Sequence, residues 1–182
     1  MNRLPVATWN PLGVNYAPAS AALPTVPADG WAKAETLSPA LPAGVTAPAE
    51  ADFGDFAASG MGAETDTWLA ENANLVNHLA VSGTADAPIV FENTLDAAHP
   101  HALTYLTIDA AEGSSLTVVQ VVRGDAENGV SASLTRIRAA ENAHVTLVQV
   151  QLLGNRARRW NAVAIEQGKS ARVEQVRIEL GG

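Results

Sequence analysis

The feature that most constrains this chain is an internal repeat. The segment opening at Ile108 returns at Ile137 and again at Ile165, at steps of 29 and 28 residues. Leu116, Val145 and Val173 follow at the same steps of 29 and 28. Each repeat holds two short runs rich in Val, Leu, Ile and Thr, separated by Gly, Asn, Asp and Ser. This texture predicts strands near 75–81, 88–94, 102–109, 116–122, 130–138, 145–152, 159–166 and 172–180. Strand spacing alone also suits an antiparallel sandwich. The repeat decides against it, because strand n resembles strand n+2. Such a chain coils, and each turn stacks on the last. The expectation is an all-β parallel β-helix of about four coils.

Side-chain alternation adds detail. Thr117, Val119 and Val121 align with Thr146, Val148 and Val150, then with Glu174, Val176 and Ile178. Alternate residues of a strand share a face. On the other leg Leu106 and Ile108 align with Thr135 and Ile137, then with Val163 and Ile165. The expectation is that these two sets of ladders face each other across a dry interior. Gln120, Gln149 and Arg177 then lie on the opposite, more polar face, where Gln120 above Gln149 forms an amide ladder. Gly113 and Asn142 fall at matching corners and tolerate a left-handed backbone. Gly168 is displaced by two places, which predicts a different third corner.

Residues 1–74 read differently. Pro5, Pro11, Pro18, Pro24, Pro27, Pro39, Pro42 and Pro48 exclude a long helix before about residue 49. The region is expected to be a mostly irregular, Pro- and Ala-rich arm, with short helices at 49–58 and 64–72. Its apolar residues suggest that it lies on something, with Trp9 and Trp31 as anchors. The division expected is an arm over 1–74 and a β-helix core over 75–182.

The net charge of −8 argues against general nucleic-acid binding. With no cysteine, disulfides and Cys-ligated metal or cluster sites within the chain are excluded. The opening Met1-Asn2-Arg3-Leu4-Pro5 has no apolar core of a signal peptide, and no apolar run is long enough for a membrane span. A cytoplasmic location is expected.

Residues with chemical potential are few. His99 and His101 flank Pro100 near Asp96 and Glu92; two imidazoles at i and i+2 suit a metal only on one strand face, and Pro100 favours a solvated corner. His78 is read as partly buried, and His144 as exposed. Gly168-Lys169-Ser170 is no phosphate loop, since Val163 stands where that motif needs glycine. Arg156, Arg158 and Arg159, with Arg136, Arg138, Arg172 and Arg177, form the basic concentration. Their ordinary reading is a solvated or ion-paired surface. The sharper reading is an interface of Arg156, Arg158, Arg159 and Trp160 toward an acidic partner, or toward the chain's own acidic N-terminal region. No catalytic, cofactor-binding or metal residue is assigned.

The run Glu141-Asn142-Ala143-His144-Val145-Thr146-Leu147-Val148-Gln149, after Glu112-Gly113-Ser114-Ser115-Leu116-Thr117-Val118-Val119, resembles the SufB/SufD family of iron–sulfur cluster assembly scaffolds. So does the closing Glu179-Leu180-Gly181-Gly182. Leu4-Pro5-(x)3-Trp9 is similar to the start of SufD-type chains. The resemblance covers 75–182 well and 1–74 poorly. It implies a right-handed parallel β-helix and a SufD-like subunit that is no enzyme by itself. It also implies a SufB-like partner and a SufC-like ATPase, with the iron–sulfur cluster held only by the whole assembly. No cluster ligand carries over to this chain. In the family the Gly-Gly motif lies mid-fold, so the chain is expected to stop within the β-helix and to self-associate through that end. A carbohydrate-active β-helix such as a polysaccharide lyase is the rival; its acids would cluster, whereas Asp86, Glu92, Asp109 and Asp125 stand apart. A hexapeptide acyltransferase needs a six-residue period that the chain lacks.

Overall fold

The computed structural model describes residues 29–32, 34–36, 38, 40–59 and 62–181. The readings of Trp9 and the Leu4-Pro5 motif lie outside them. The chain is a parallel β-solenoid of about four coils. The first coil is β3 (Leu75–Val81) and β4 (Ile89–Leu95), and the second is β5 (His101–Ala110) and β6 (Ser115–Gly124). The third is β7 (Gly129–Ala139) and β8 (His144–Leu153), and the fourth is β9 (Ala157–Gln167) and β10 (Arg172–Glu179). All eight strands fall where the repeat predicts them.

The odd and even members of these pairs separate into two parallel sheets. Sheet A runs β3-β5-β7-β9 and sheet B runs β4-β6-β8-β10. Ile108 pairs with Ile137 and Ile137 with Ile165; Leu116 pairs with Val145 and Val145 with Val173. The repeat step is therefore the stacking register. Two short strands close the first coil from above. β1 (Ala34–Thr36) pairs antiparallel with β4, and β2 (Val45–Thr46) pairs antiparallel with β3. They satisfy edge groups that a first coil otherwise leaves open.

The interior between the sheets holds Leu79, Ile89, Leu106, Ile108, Leu116, Val118, Ile137, Val145 and Leu147. On sheet A this is the expected ladder. On sheet B it is the other face: Leu116, Val118 and Gln120 point inward, while Thr117, Val119 and Val121 point out. Both faces of sheet B are apolar enough to have served, and the branched interior of sheet A selects Leu116 and Val118. The glutamine ladder forms, but inside. Gln149 is 1% exposed, and its Nε2 donates to Gln120 Oε1 at 2.9 Å.

The corners also repeat. Gly113 and Asn142 have φ of 67° and 59°. The third corner keeps the same conformation, contrary to expectation, because Ser170 takes it with φ of 57°. Ser170 sits 28 residues after Asn142, so the stacking step outweighs the intrinsic preference for glycine. Elsewhere, Gly124 lies against the carbonyl of Leu95 so closely that a Cβ would approach its oxygen to 2.0 Å, and Gly181 repeats this against Leu153. Leu95, Gly124 and Leu153 form one column, in which glycine makes room for the leucines.

Sheet A is covered on its outer side as well. The helix α1 (Ala63–Asn72), predicted at 64–72, buries Leu69 against Leu103, Tyr105 and Leu134. The predicted helix at 49–58 does not form. Those residues are irregular, and Phe53 and Phe56 stack with ring centroids 5.4 Å apart. The reason lies in the sheet beneath them. Arg136 Nη1 donates to the Phe53 carbonyl at 3.0 Å, and Arg138 Nη1 donates to the Asp52 carbonyl at 3.3 Å. Carbonyls turned toward arginines are lost to an intrahelical ladder.

Candidate functional site

The four residues singled out as an interface occupy three different surroundings. Arg156 lies at the β8–β9 corner, where its Nη2 is 2.7 Å from Asp125 Oδ2. Arg158 and Trp160 project from the outer face of sheet A. Trp160 stacks over Ala132, which stacks over Leu103, and it packs into the cluster formed with α1. Arg159 points the other way, into the solenoid. Its Nη1 is buried with no hydrogen-bond partner among the described residues. Burial lowers the pKa of Arg159; Glu179 opposes that shift and Arg177 adds to it.

Arg159 belongs to a polar interior that grows toward the fourth coil. Gln149 Nε2 donates to Asn161 Oδ1 at 3.0 Å, and Asn161 Nδ2 donates back to Gln149 Oε1 at 2.9 Å. Ser133 Oγ donates to Asn161 Oδ1 at 2.6 Å. Gln175 Nε2 donates to Gln149 Oε1 at 3.1 Å, and Thr135 Oγ1 donates to Gln120 Oε1 at 3.4 Å. Two amides thus bridge the sheets, each serving as donor and acceptor, and a buried amide left unpaired would be costly. Sequence reasoning missed Asn161 and Ser133. The signal was available: the 28-residue step that stacks Asn161 on Ser133 also places both opposite Gln120 and Gln149.

Among the described residues, this interior ends at the fourth coil. Strands β9 and β10 stand last in their sheets among the described strands. Among the described residues, neither has a partner strand on its outer edge. Such an edge accepts a further strand. Arg159 and Arg177 project between the two strands, and Arg177 Nε is 4.0 Å from Glu179 Oε1.

The acidic N-terminal region does meet basic residues, but these are Arg136 and Arg138. Asp66 is 1% exposed; it accepts from the Ser59 amide at 2.6 Å and lies 4.0 Å from Arg136 Nη2. Arg138 Nη2 donates to Asp55 Oδ1 at 3.0 Å, and its guanidinium sits 4.9 Å from the Phe53 ring centroid. Arg136 lies 5.8 Å from the centroids of both Phe56 and Tyr105. These contacts clamp the N-terminal region onto sheet A.

The histidines separate. His99 Nδ1 is 3.1 Å from Asp96 Oδ1 in the β4–β5 corner, and the backbone N–H of His99 holds the Asp96 carboxyl below its usual range. His101 opens β5, edge-on to Trp31. His78 bonds Thr107 at 2.8 Å, and burial pushes its pKa down. Among the described residues no three His, Cys, Asp or Glu gather as a metal site.

This geometry defines a class: a parallel β-solenoid with its N-terminal end covered by short antiparallel strands. The family follows from sequence comparison. Residues 93–182 match the family described as SUF system FeS cluster assembly, SufBD core domain. That part of the chain, from within β4 onward, is similar to the SufBD core domain. The match supports a role in iron–sulfur cluster assembly, and members of the family work in the SUF complex with other Suf proteins. It does not favour the carbohydrate-active alternative. No curated protein and no solved structure matches the chain. Among the described residues no helix is long and apolar enough to cross a membrane.

Proposed function

We propose that this chain is a non-catalytic scaffold subunit of iron–sulfur cluster assembly, SufD-like, working in the cytoplasm beside a SufB-like scaffold and a SufC-like ATPase. The observation that carries the reading is the SufBD core match over 93–182, which spans three of the four coils and both strands at the open edges. The edge groups of β9 and β10 support it, since they suit strand-by-strand pairing with another solenoid. In this reading the chain binds no cofactor itself, and the cluster is cargo of the assembly. Arg156, Arg158, Arg159 and Trp160 flank the fourth coil, and we assign them to the partner-facing end.

The test is affinity capture of the tagged chain from its native host. The reading expects a SufB-like and a SufC-like polypeptide in the eluate. It also expects Arg158→Glu, on the exposed outer face of β9, to reduce their yield severalfold while the melting temperature of the isolated chain stays close to that of the parent. Capture of neither polypeptide by the parent chain would overturn it.

A further inference from the structure

The segment 51–59 is fastened to the solenoid in a different way from the coils. It joins neither sheet. Side chains hold it instead. Arg136 and Arg138 reach the carbonyls of Phe53 and Asp52 and the carboxylates of Asp66 and Asp55, and Phe53 and Phe56 pack with Ala164. Contacts of this kind open before stacked strands do. What lies beside Arg136 therefore decides when the segment lifts.

A histidine shares its column. His78, Thr107 and Arg136 stack across β3, β5 and β7 on the outer face of sheet A. Thr107 is fully buried, and its Oγ1 lies 2.8 Å from His78 Nδ1. Tyr105 touches both ends of the column. Its ring stands edge-on to His78, with centroids 6.0 Å apart. Arg136 lies 5.8 Å from the same ring centroid and donates to the Tyr105 hydroxyl at 3.3 Å. Two strand spacings put the His78 and Arg136 backbones about 10 Å apart. Arg136 Nε is buried with no hydrogen-bond partner among the described residues, so this guanidinium is already short of acceptors.

A neutral imidazole suits such a place. It shares one proton with Thr107 and adds no charge. Protonation turns both ring nitrogens into donors. Nδ1 then donates to Thr107, and a second cation stands beside the tyrosine and threonine that Arg136 already uses. The other charged groups are few. Glu50, just before the segment, favours the cation. In the next column of sheet A stand Asp109 and Arg138, and from α1 Asp66 faces Arg136. Burial outweighs Glu50 and lowers the His78 pKa from its ordinary 6.5. The fold thus prefers the neutral ring. The stability that this site adds is present above pH 6.5 and is lost as the pH falls below it.

We propose that His78 is an acid-sensitive catch for the N-terminal cover: once protonated beside Thr107 and Tyr105, it loosens the hold of Arg136 on segment 51–59, which lifts from sheet A while the coils stay stacked. The lifted segment bares Ala164 with Arg136 next to it in the sheet.

Amide hydrogen exchange on the whole chain tests this. The Phe56 amide donates to the Phe53 carbonyl and the Ser59 amide to Asp66, so both report on the segment. Their protection is compared at about pH 7.5 and about pH 5.5, on either side of the histidine range, after correction for the intrinsic pH dependence of exchange. The expected result in the parent is about a fivefold loss of protection at the lower pH, with the β3 amides of Leu79 and Val81 unchanged. His78→Gln keeps a polar group for Thr107 but does not titrate, and its loss should be less than about twofold. His101→Gln, at the start of β5, should behave as the parent. No loss in the parent, or an equal loss in His78→Gln, would overturn the proposal. So would loss at Leu79 and Val81 together with the segment, since His78 would then act on the coil. Where His78→Gln does not fold, the His78 ring is titrated by NMR in the parent chain. A midpoint above 6.5, or one that does not track the protection of Phe56, would also overturn it.

Discussion

At the residue scale, the stacking step imposes conformations and partners that single residues would not choose. Ser170 has φ of 57°, a region that costs residues with a Cβ about 1–2 kcal/mol. Ser170→Gly should therefore raise stability by about 0.5–1 kcal/mol in urea denaturation, once the extra freedom of glycine in the unfolded chain is subtracted. Gln149 is a second case. Replacing it with leucine keeps the volume but removes the partners of Asn161 and Gln175. The expected loss is about 2–4 kcal/mol, because buried amides are left unsatisfied. Gln149→Leu combined with Asn161→Leu should cost less than the sum of the two single variants, since neither amide of that pair is then left buried without the other. A strictly additive double variant would mean that the bridge between the sheets contributes nothing. The corners at Gly113 and Asn142 and the pairing of Gln120 with Gln149 are legible in the sequence, because each depends on the repeat step alone. The inward direction of the glutamines is not, because it depends on what faces them.

At the element scale, strands and clamps behave differently. Every solenoid strand is legible from runs of Val, Leu, Ile and Thr, and α1 is legible from its position after the last breaker. The segment 51–59 is not. Its local composition permits a helix, but Arg136 and Arg138 draw its carbonyls and rings onto sheet A, and tertiary contacts outweigh a weak propensity. Arg136 is the pivot, reaching the Phe53 carbonyl, the Tyr105 hydroxyl and Asp66. Arg136→Met keeps much of the side chain's bulk and leaves Asp66 a buried carboxylate with one charged neighbour fewer. The clamp should loosen before the solenoid does. Limited proteolysis with chymotrypsin should cut at Phe53 and Phe56 at least severalfold faster than in the parent, and the unfolding free energy of the solenoid should fall by about 1–3 kcal/mol. Unchanged cleavage at both phenylalanines would show that apolar packing alone holds the segment.

At the scale of the whole molecule, the N-terminal region acts as cladding. Short antiparallel strands close the first coil, and α1 with Phe53 and Phe56 covers Leu103, Tyr105, Leu134, Ala162 and Ala164. A chain beginning at Leu75 loses all of this, and with it eight acidic and two basic residues. It should bind a hydrophobic dye severalfold more strongly than the parent and sediment as larger species, since a broad apolar sheet face becomes exposed. A monomeric, dye-silent product would mean that the solenoid stands without its cover. The family match belongs to this scale too, for the matched residues 93–182 take in the later stacked coils and leave the cladding outside.

The sequence by itself determined the coil, its step, the strand positions and the left-handed corners. These follow from stacking like on like, which a repeat records directly. Only the tertiary structure decided which face of sheet B is the inside. Alternation sorts side chains into two faces but cannot rank two faces that are both rich in valine. Leu106, Ile108 and Ile137 across the interior made that choice. It turned Gln120 and Gln149 inward to bond with Asn161 and Thr135, and it left the second valine ladder on the surface.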